Sequence, residues 1–157
     1  MTDAYRERQP PYSEDAEQAV IGAMLMDQDA ILRAIEHVDD TSFHSERHRR
    51  IFRAMVTLSE RGEVVDPLTL SEELSRRGEL DAAGGKEYIG YLVDAVPTAA
   101  NIEYHAKIVK EKALMRRLIE TSTSIVREAF EGRMTASELL DDAESKIFQV
   151  SQSRGNQ

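Results

Sequence analysis

Apolar residues recur along this chain at helical spacing, in clusters separated by short polar or glycine-containing breaks. Val20, Ile21, Met24 and Leu25 form the first cluster, behind Ser13 as an N-cap and an acidic first turn of Glu14, Asp15 and Glu17. Ile31, Leu32, Ile35 and Val38 place a second helix, and Ile51, Phe52, Met55, Val56 and Leu58 a third that starts near Ser45 and stops at Gly62. In DPLTLSEELSRRG, Asp66 caps, Pro67 takes the first helical position and Gly78 follows the last, with Leu68, Leu70 and Leu74 expected inside. KEYIGYLVDAV supplies a fifth helix with Tyr88, Ile89, Tyr91 and Leu92 on its apolar side. Sustained period-2 alternation is missing, and EVVDP is the one fragment suited to extended structure. The pattern predicts an all-α fold.

Beyond Pro97 the pattern changes from short helices to one long one. Thr98 is expected to cap it, with Ala99, Ala100 and Asn101 in the first turn, and neither Gly nor Pro interrupts the run before Gly132. A helix of about 30 residues is ~45 Å long at ~1.5 Å per residue, more than a small head covers. EGRMT then makes a short connection, and Thr135 with Glu138 forms a capping box for a last helix through Leu139, Leu140, Ala143, Ile147 and Val150. Short helix connections favour antiparallel neighbours. The expected organisation is a flexible N-terminal arm (1–12), a globular helical head (13–96), a long antiparallel helical hairpin (97–150) and, in SQSRGNQ (151–157), the start of a linker to a domain outside this chain. On the long helix, Ile108, Met115, Leu118, Ile125 and Ala129 follow near-heptad spacing and are expected to face the hairpin partner. Ile119, Val126 and Phe130 widen the apolar arc to one side. One partner helix needs a single narrow seam, so the extra width predicts a second contact, with the head or with another subunit, and a helix that outruns the head favours another subunit.

Composition narrows the function. The 157 residues are 41% hydrophobic, enough for a buried core, and contain no cysteine for disulfides or thiolate-ligated metals, which suits a reducing, cytoplasmic setting. The net charge of −9 sits entirely in residues 1–96, while residues 97–157 balance, which argues against nucleic-acid binding by the chain as a whole. No apolar run approaches the ~20 residues of a membrane span. Gly85-Lys86 lacks the earlier glycine and following Ser or Thr of a phosphate loop; those places hold Leu80 and Glu87. His44 and His48 stand at i, i+4, but Glu46 is misplaced for an H-E-x-x-H motif and no third ligand follows, so no metal is expected. No nucleophile signature is present, and neither catalytic nor cofactor-binding residues are assigned. Two basic clusters, Arg47, Arg49, Arg50 and Arg53, and Lys107, Lys110, Lys112, Arg116 and Arg117, suit solvated helix faces, a docking surface for an acidic partner protein, or weak contact with DNA passing nearby.

Several stretches in fixed order carry a family likeness: EDAEQAVIGAML, HRRIFRAM, VDPLTLSEEL, GELDAAGGKEYIGYL and VPTAANIEYHAKIVKEKALMRRLI. Through them the chain resembles the N-terminal domain of the bacterial replicative DNA helicase, the DnaB family. The resemblance implies a non-catalytic assembly domain ahead of a RecA-like ATPase, the latter using ATP and Mg to unwind DNA and making most DNA contacts. It implies dimers joined through hairpins into a three-fold, hexameric collar, docking of the primase C-terminal domain, and a helicase loader as a further partner. Ile119, Ile125, Val126 and Phe130 are the expected self-association or primase contacts, with Tyr88 a further candidate on the head. The alternative is a free-standing α-helical adaptor or loader-like interaction protein that uses this domain without a motor.

Overall fold

The computed structural model describes residues 8–154, so residues 1–7 of the expected arm and 155–157 of the expected linker lie outside the described residues. The described residues form seven α-helices and no strand: α1 (Glu14–Met26), α2 (Gln28–Ile35), α3 (Glu46–Glu60), α4 (Pro67–Arg76), α5 (Gly85–Ala95), α6 (Ile102–Glu131) and α7 (Ala136–Arg154), with one 3₁₀ turn at Asp40–Ser42. The all-α expectation holds. Two compact units divide the chain, one spanning Tyr12–Glu111 and the other combining the segment up to Pro11 with Lys112 onward.

In the first unit α1 is central, with Val20 through Leu25 all buried, as befits a helix surrounded by others. Ser13 Oγ accepts from the Ala16 amide at 3.1 Å, and at the other end Asp27 leaves the helix and caps α2, accepting from the Asp29 amide at 3.0 Å. Gly22 lets α5 come close: a Cβ there would stand 2.5 Å from Val96 Cγ2 and 2.6 Å from the Leu92 carbonyl oxygen. Met24, Ile31, Ile51, Leu70, Leu74 and Ile89 fill the core, closed by Ile102, Ala106 and Val109 from the start of α6.

Helix α4 matches its punctuation. Asp66 accepts from the Thr69 amide (2.8 Å) while Thr69 Oγ1 accepts from the Asp66 amide (3.0 Å), and Gly78 at φ 72° lets the Glu79 amide reach back to the Leu74 carbonyl (2.8 Å). Leu68, expected inside, is exposed, because it lies roughly 160° around the helix from Leu70 at ~100° per residue. Glu73 is buried instead, held by Arg61, Arg76 and Arg77. The Arg77 hydrogen bond does most to hold its carboxyl at about 2; burial pushes it up, and Arg76 and Arg61 more than offset that. Leu32 and Ile35 of α2 are likewise exposed, since Ala30, Ile31 and Ala34 make the inward face.

The long helix begins at Ile102, not beside Thr98. Thr98 Oγ1 accepts from the Ala100 amide two residues on (3.1 Å), and the Ile102 amide bonds the Ala99 carbonyl (3.3 Å), so the threonine closes a turn ahead of the helix.

In the second unit the capping box before α7 has both its bonds, Thr135 amide to Glu138 Oε1 (2.9 Å) and Glu138 amide to Thr135 Oγ1 (3.1 Å). Helix α7 continues past Val150 to Arg154, over part of the segment expected as linker, because no Gly or Pro occurs before Gly155. Lys146 Nζ on α7 meets Glu128 (2.8 Å) and approaches Ser124 (3.4 Å) on α6, which fixes the two helices as an antiparallel hairpin. Arg116, nearly buried, donates to the Pro11 carbonyl at 2.8 Å.

Candidate functional site

The apolar surface of the hairpin lies where its partner helix is not. Met115, Ile119, Val126 and Phe130 stand at i, i+4, i+11 and i+15, within roughly 60° of one another around α6, and all four are exposed, Phe130 to 89%. Ser124 and Glu128, which meet α7 through Lys146, are roughly opposite. Arg117, Glu120 and Thr121 line the groove shared with Lys146, Gln149 and Ser153, so the seam between the helices is largely polar. Met115 and Leu118 are therefore exposed where the heptad spacing placed them against the partner, a correction with a physical cause: the Lys146–Glu128 ion pair brings α7 to another side of α6. Ile125 is half-buried, set apart from the open stripe. Helix α7 has no buried side chain, and it exposes Leu140, Ile147 and Phe148. Exposed apolar side chains aligned at helical spacing on both helices are what an interaction face looks like before its partner arrives.

Tyr88 has a different setting. It is half-buried, and its hydroxyl lies 2.6 Å from His48 Nε2, whose ring is fully buried. His48 Nδ1 lies 2.7 Å from Glu17 Oε1, and Glu17 also accepts the amides of His44 (2.7 Å) and Ser45 (3.3 Å) at the start of α3. The carboxylate can only accept, so Nδ1 donates to Glu17, and Nε2 shares the second bond with the Tyr88 hydroxyl. A chain of three side chains thus joins α1, α3 and α5. Burial first, and the charge of Glu14 second, push the Tyr88 phenol up to about 12. Arg47 lies over the Tyr88 ring at 4.9 Å and Tyr91 stacks beside it at 6.0 Å.

Sequence reasoning missed Glu17 and His48 as core residues, though the signal existed. Glu17 precedes Val20, Ile21 and Met24 at the spacing of one helix face, and His48 precedes Ile51, Phe52 and Met55 in the same way. The His44 and His48 pair does not converge as ligands, since both His48 nitrogens are engaged and His44 stacks on Tyr12 at 4.3 Å. The first basic cluster is spent internally: Arg49 on the Phe43 carbonyl (2.7 Å), Arg50 on Glu79 (2.7 Å) and Arg53 on Asp40 (3.4 Å). Tyr88→Phe separates packing from docking: it removes one hydroxyl, leaves His48 Nε2 unpaired, and is expected to cost about 1–3 kcal/mol in urea melts with the surface shape intact.

A family model described as the DnaB-like helicase N terminal domain matches residues 9–111, well over half of the chain. The chain belongs to this family. Its match coincides closely with the compact Tyr12–Glu111 unit. Similarity to individual DnaB proteins runs further. The replicative DNA helicase DnaB of Geobacillus stearothermophilus is 45% identical over 97% of this chain, and that of Rhodothermus marinus 49% over 92%. The chain spans 34% of the first relative's length and 15% of the second's. The crystal structure of the N-terminal domain of DnaB helicase from Mycobacterium tuberculosis superposes with a TM-score of 0.87 at 40% identity, covering 90% of this chain and 99% of that one. A DnaB-like replicative helicase whose structure was solved to show its interactions with primase shares the fold, with a TM-score of 0.71 at 24% identity over 88% of this chain and 31% of its own. Among the described residues of this DnaB-family domain, no helix is long and apolar enough to cross a membrane.

Proposed function

We propose that this chain is the assembly and primase-docking domain at the front of a hexameric replicative DNA helicase that acts in the cytoplasm. The open stripe of Met115, Ile119, Val126 and Phe130 carries the reading, because it is too apolar and too well aligned to serve only solvent. The family and the close DnaB relatives support the helicase context, and the shared fold with a helicase studied with primase supports the partner. In this reading the head of residues 13–96 is a rigid support, and the hairpin of residues 97–150 pairs with a second copy. Ile119, Val126 and Phe130 meet across the dimer, with Ile125 at its margin. Dimers build a three-fold collar, and Tyr88 with Tyr91 and Arg47 offers a smaller contact on the head. ATP and Mg act in a motor domain that follows, which also makes most DNA contacts, and a helicase loader is a further partner.

Mass in solution across a concentration series, with and without the primase C-terminal domain, tests this directly. Dimers or hexamers that grow with concentration and take up primase are the expected result. A strict monomer that ignores primase would place the assembly energy elsewhere in the parent protein.

A further inference from the structure

Glu36 and His37, just beyond the end of α2, and Glu103, in the first turn of α6, bring one donor atom each within 4.8 Å of one another. The donors differ in kind: an imidazole nitrogen and two carboxylate oxygens. His37 Nε2 makes no hydrogen bond and has almost no solvent contact, although the ring as a whole is partly exposed. Its nearest carboxylate oxygen, on Glu103, is 3.7 Å away, too long for a hydrogen bond but close to the separation of two ligands on one small cation. A buried nitrogen without a hydrogen bond and two carboxylates gathered beside it both call for a positive charge at the point between them.

We propose that Glu36, His37 and Glu103 form a site for a first-row divalent cation of the Zn2+ type, tying the end of α2 to the start of α6. Imidazole with two carboxylates suits Zn2+ and its neighbours and disfavours Mg2+, which prefers oxygen ligands and its own water. Three protein ligands leave one position for water on a four-coordinate ion. All three residues lie in the Tyr12–Glu111 unit, so the site does not depend on assembly of the hairpin. Spacing along the sequence singled out His44 and His48 instead; this trio meets only because α6 returns to the end of α2.

Calorimetric titration of the chelator-treated chain with Zn2+ tests the proposal, with His44→Gln as a control outside the cluster. One Zn2+ per chain is expected, with Mg2+ in excess failing to displace it. His37→Gln and Glu103→Gln should each weaken it by at least about tenfold, and His44→Gln should leave it unchanged. Glu36→Gln, at an exposed position, gives a variant whose folding is not in question and should weaken binding as well. Absence of saturable Zn2+ binding, or binding that survives all three cluster substitutions at full strength, would overturn the site.

Discussion

Glu17→Ala is expected to lower the stability of this domain by about 3–5 kcal/mol at neutral pH, because three donors lose their acceptor at about 1–3 kcal/mol each. Glu17 is 1% exposed and serves three donors at once: the amides of His44 and Ser45 and the ring of His48. Ser45, the N-cap of α3, makes no capping hydrogen bond with its own side chain, and the carboxylate from α1 holds the His44 and Ser45 amides just ahead of the helix. Burial alone would push the Glu17 carboxyl up; the His48 hydrogen bond and the His44 and Ser45 amides outweigh it and hold the group below its ordinary value. A carboxyl with a lowered folded pKa binds fewer protons folded than unfolded. Its contribution is therefore present above the unfolded value of 4.5 and lost as pH falls through the lower folded one. Urea melts between neutral and acid pH check this: the wild type should lose stability more steeply than Glu17→Gln over that acid range. Parallel slopes would remove Glu17 from the acid transition.

The combined substitution Ile119→Asp with Phe130→Asp is expected to weaken self-association by about thirtyfold or more, the equivalent of ~2 kcal/mol for the loss of an interface hot spot. Both side chains are exposed, and neither lies on the side of α6 that meets α7, so helicity should be unchanged. Sedimentation of wild type and variant at matched concentration, with circular dichroism on the same samples, decides between outcomes. Lost helicity would make the stripe part of the hairpin's own packing. Unchanged mass with full helicity would mean that this stripe is not where copies meet.

Much of the architecture was legible because it is written in local chemistry. Asp66, Pro67, Thr69 and Gly78 bound α4 as their types require, and Thr135 with Glu138 opens α7 through both bonds of a capping box. Those signals act within a few residues and need no tertiary partner. Orientation was harder to read. Leu32, Ile35 and Leu68 are as apolar as their buried neighbours, and only the direction from which other helices approach decides which of them is covered. Of the candidate contacts, Ile119, Val126 and Phe130 stand in the open, whereas Ile125 is half-buried and Tyr88 is tied to His48. The heptad reading of α6 placed Met115 and Leu118 in an apolar seam, whereas Lys146 of α7 meets Glu128 and Ser124 on another side of α6. The polar core residues Glu17 and His48 were hidden for the opposite reason: charged types usually mark surface, and here each finds its partner far along the chain.

Helix α7 has no buried side chain, and this makes its stability a matter of mass action. Most helical stability in proteins comes from tertiary packing, and the two polar contacts from Lys146 to α6 add little. Under the assembly reading, each dimer that forms draws down the population of frayed α7. The free energy of opening that segment then rises with the logarithm of chain concentration, while the Tyr12–Glu111 unit, with its own enclosed core, keeps a fixed value. One polypeptide would then show two unfolding behaviours, one intrinsic and one set by how many copies share the solution.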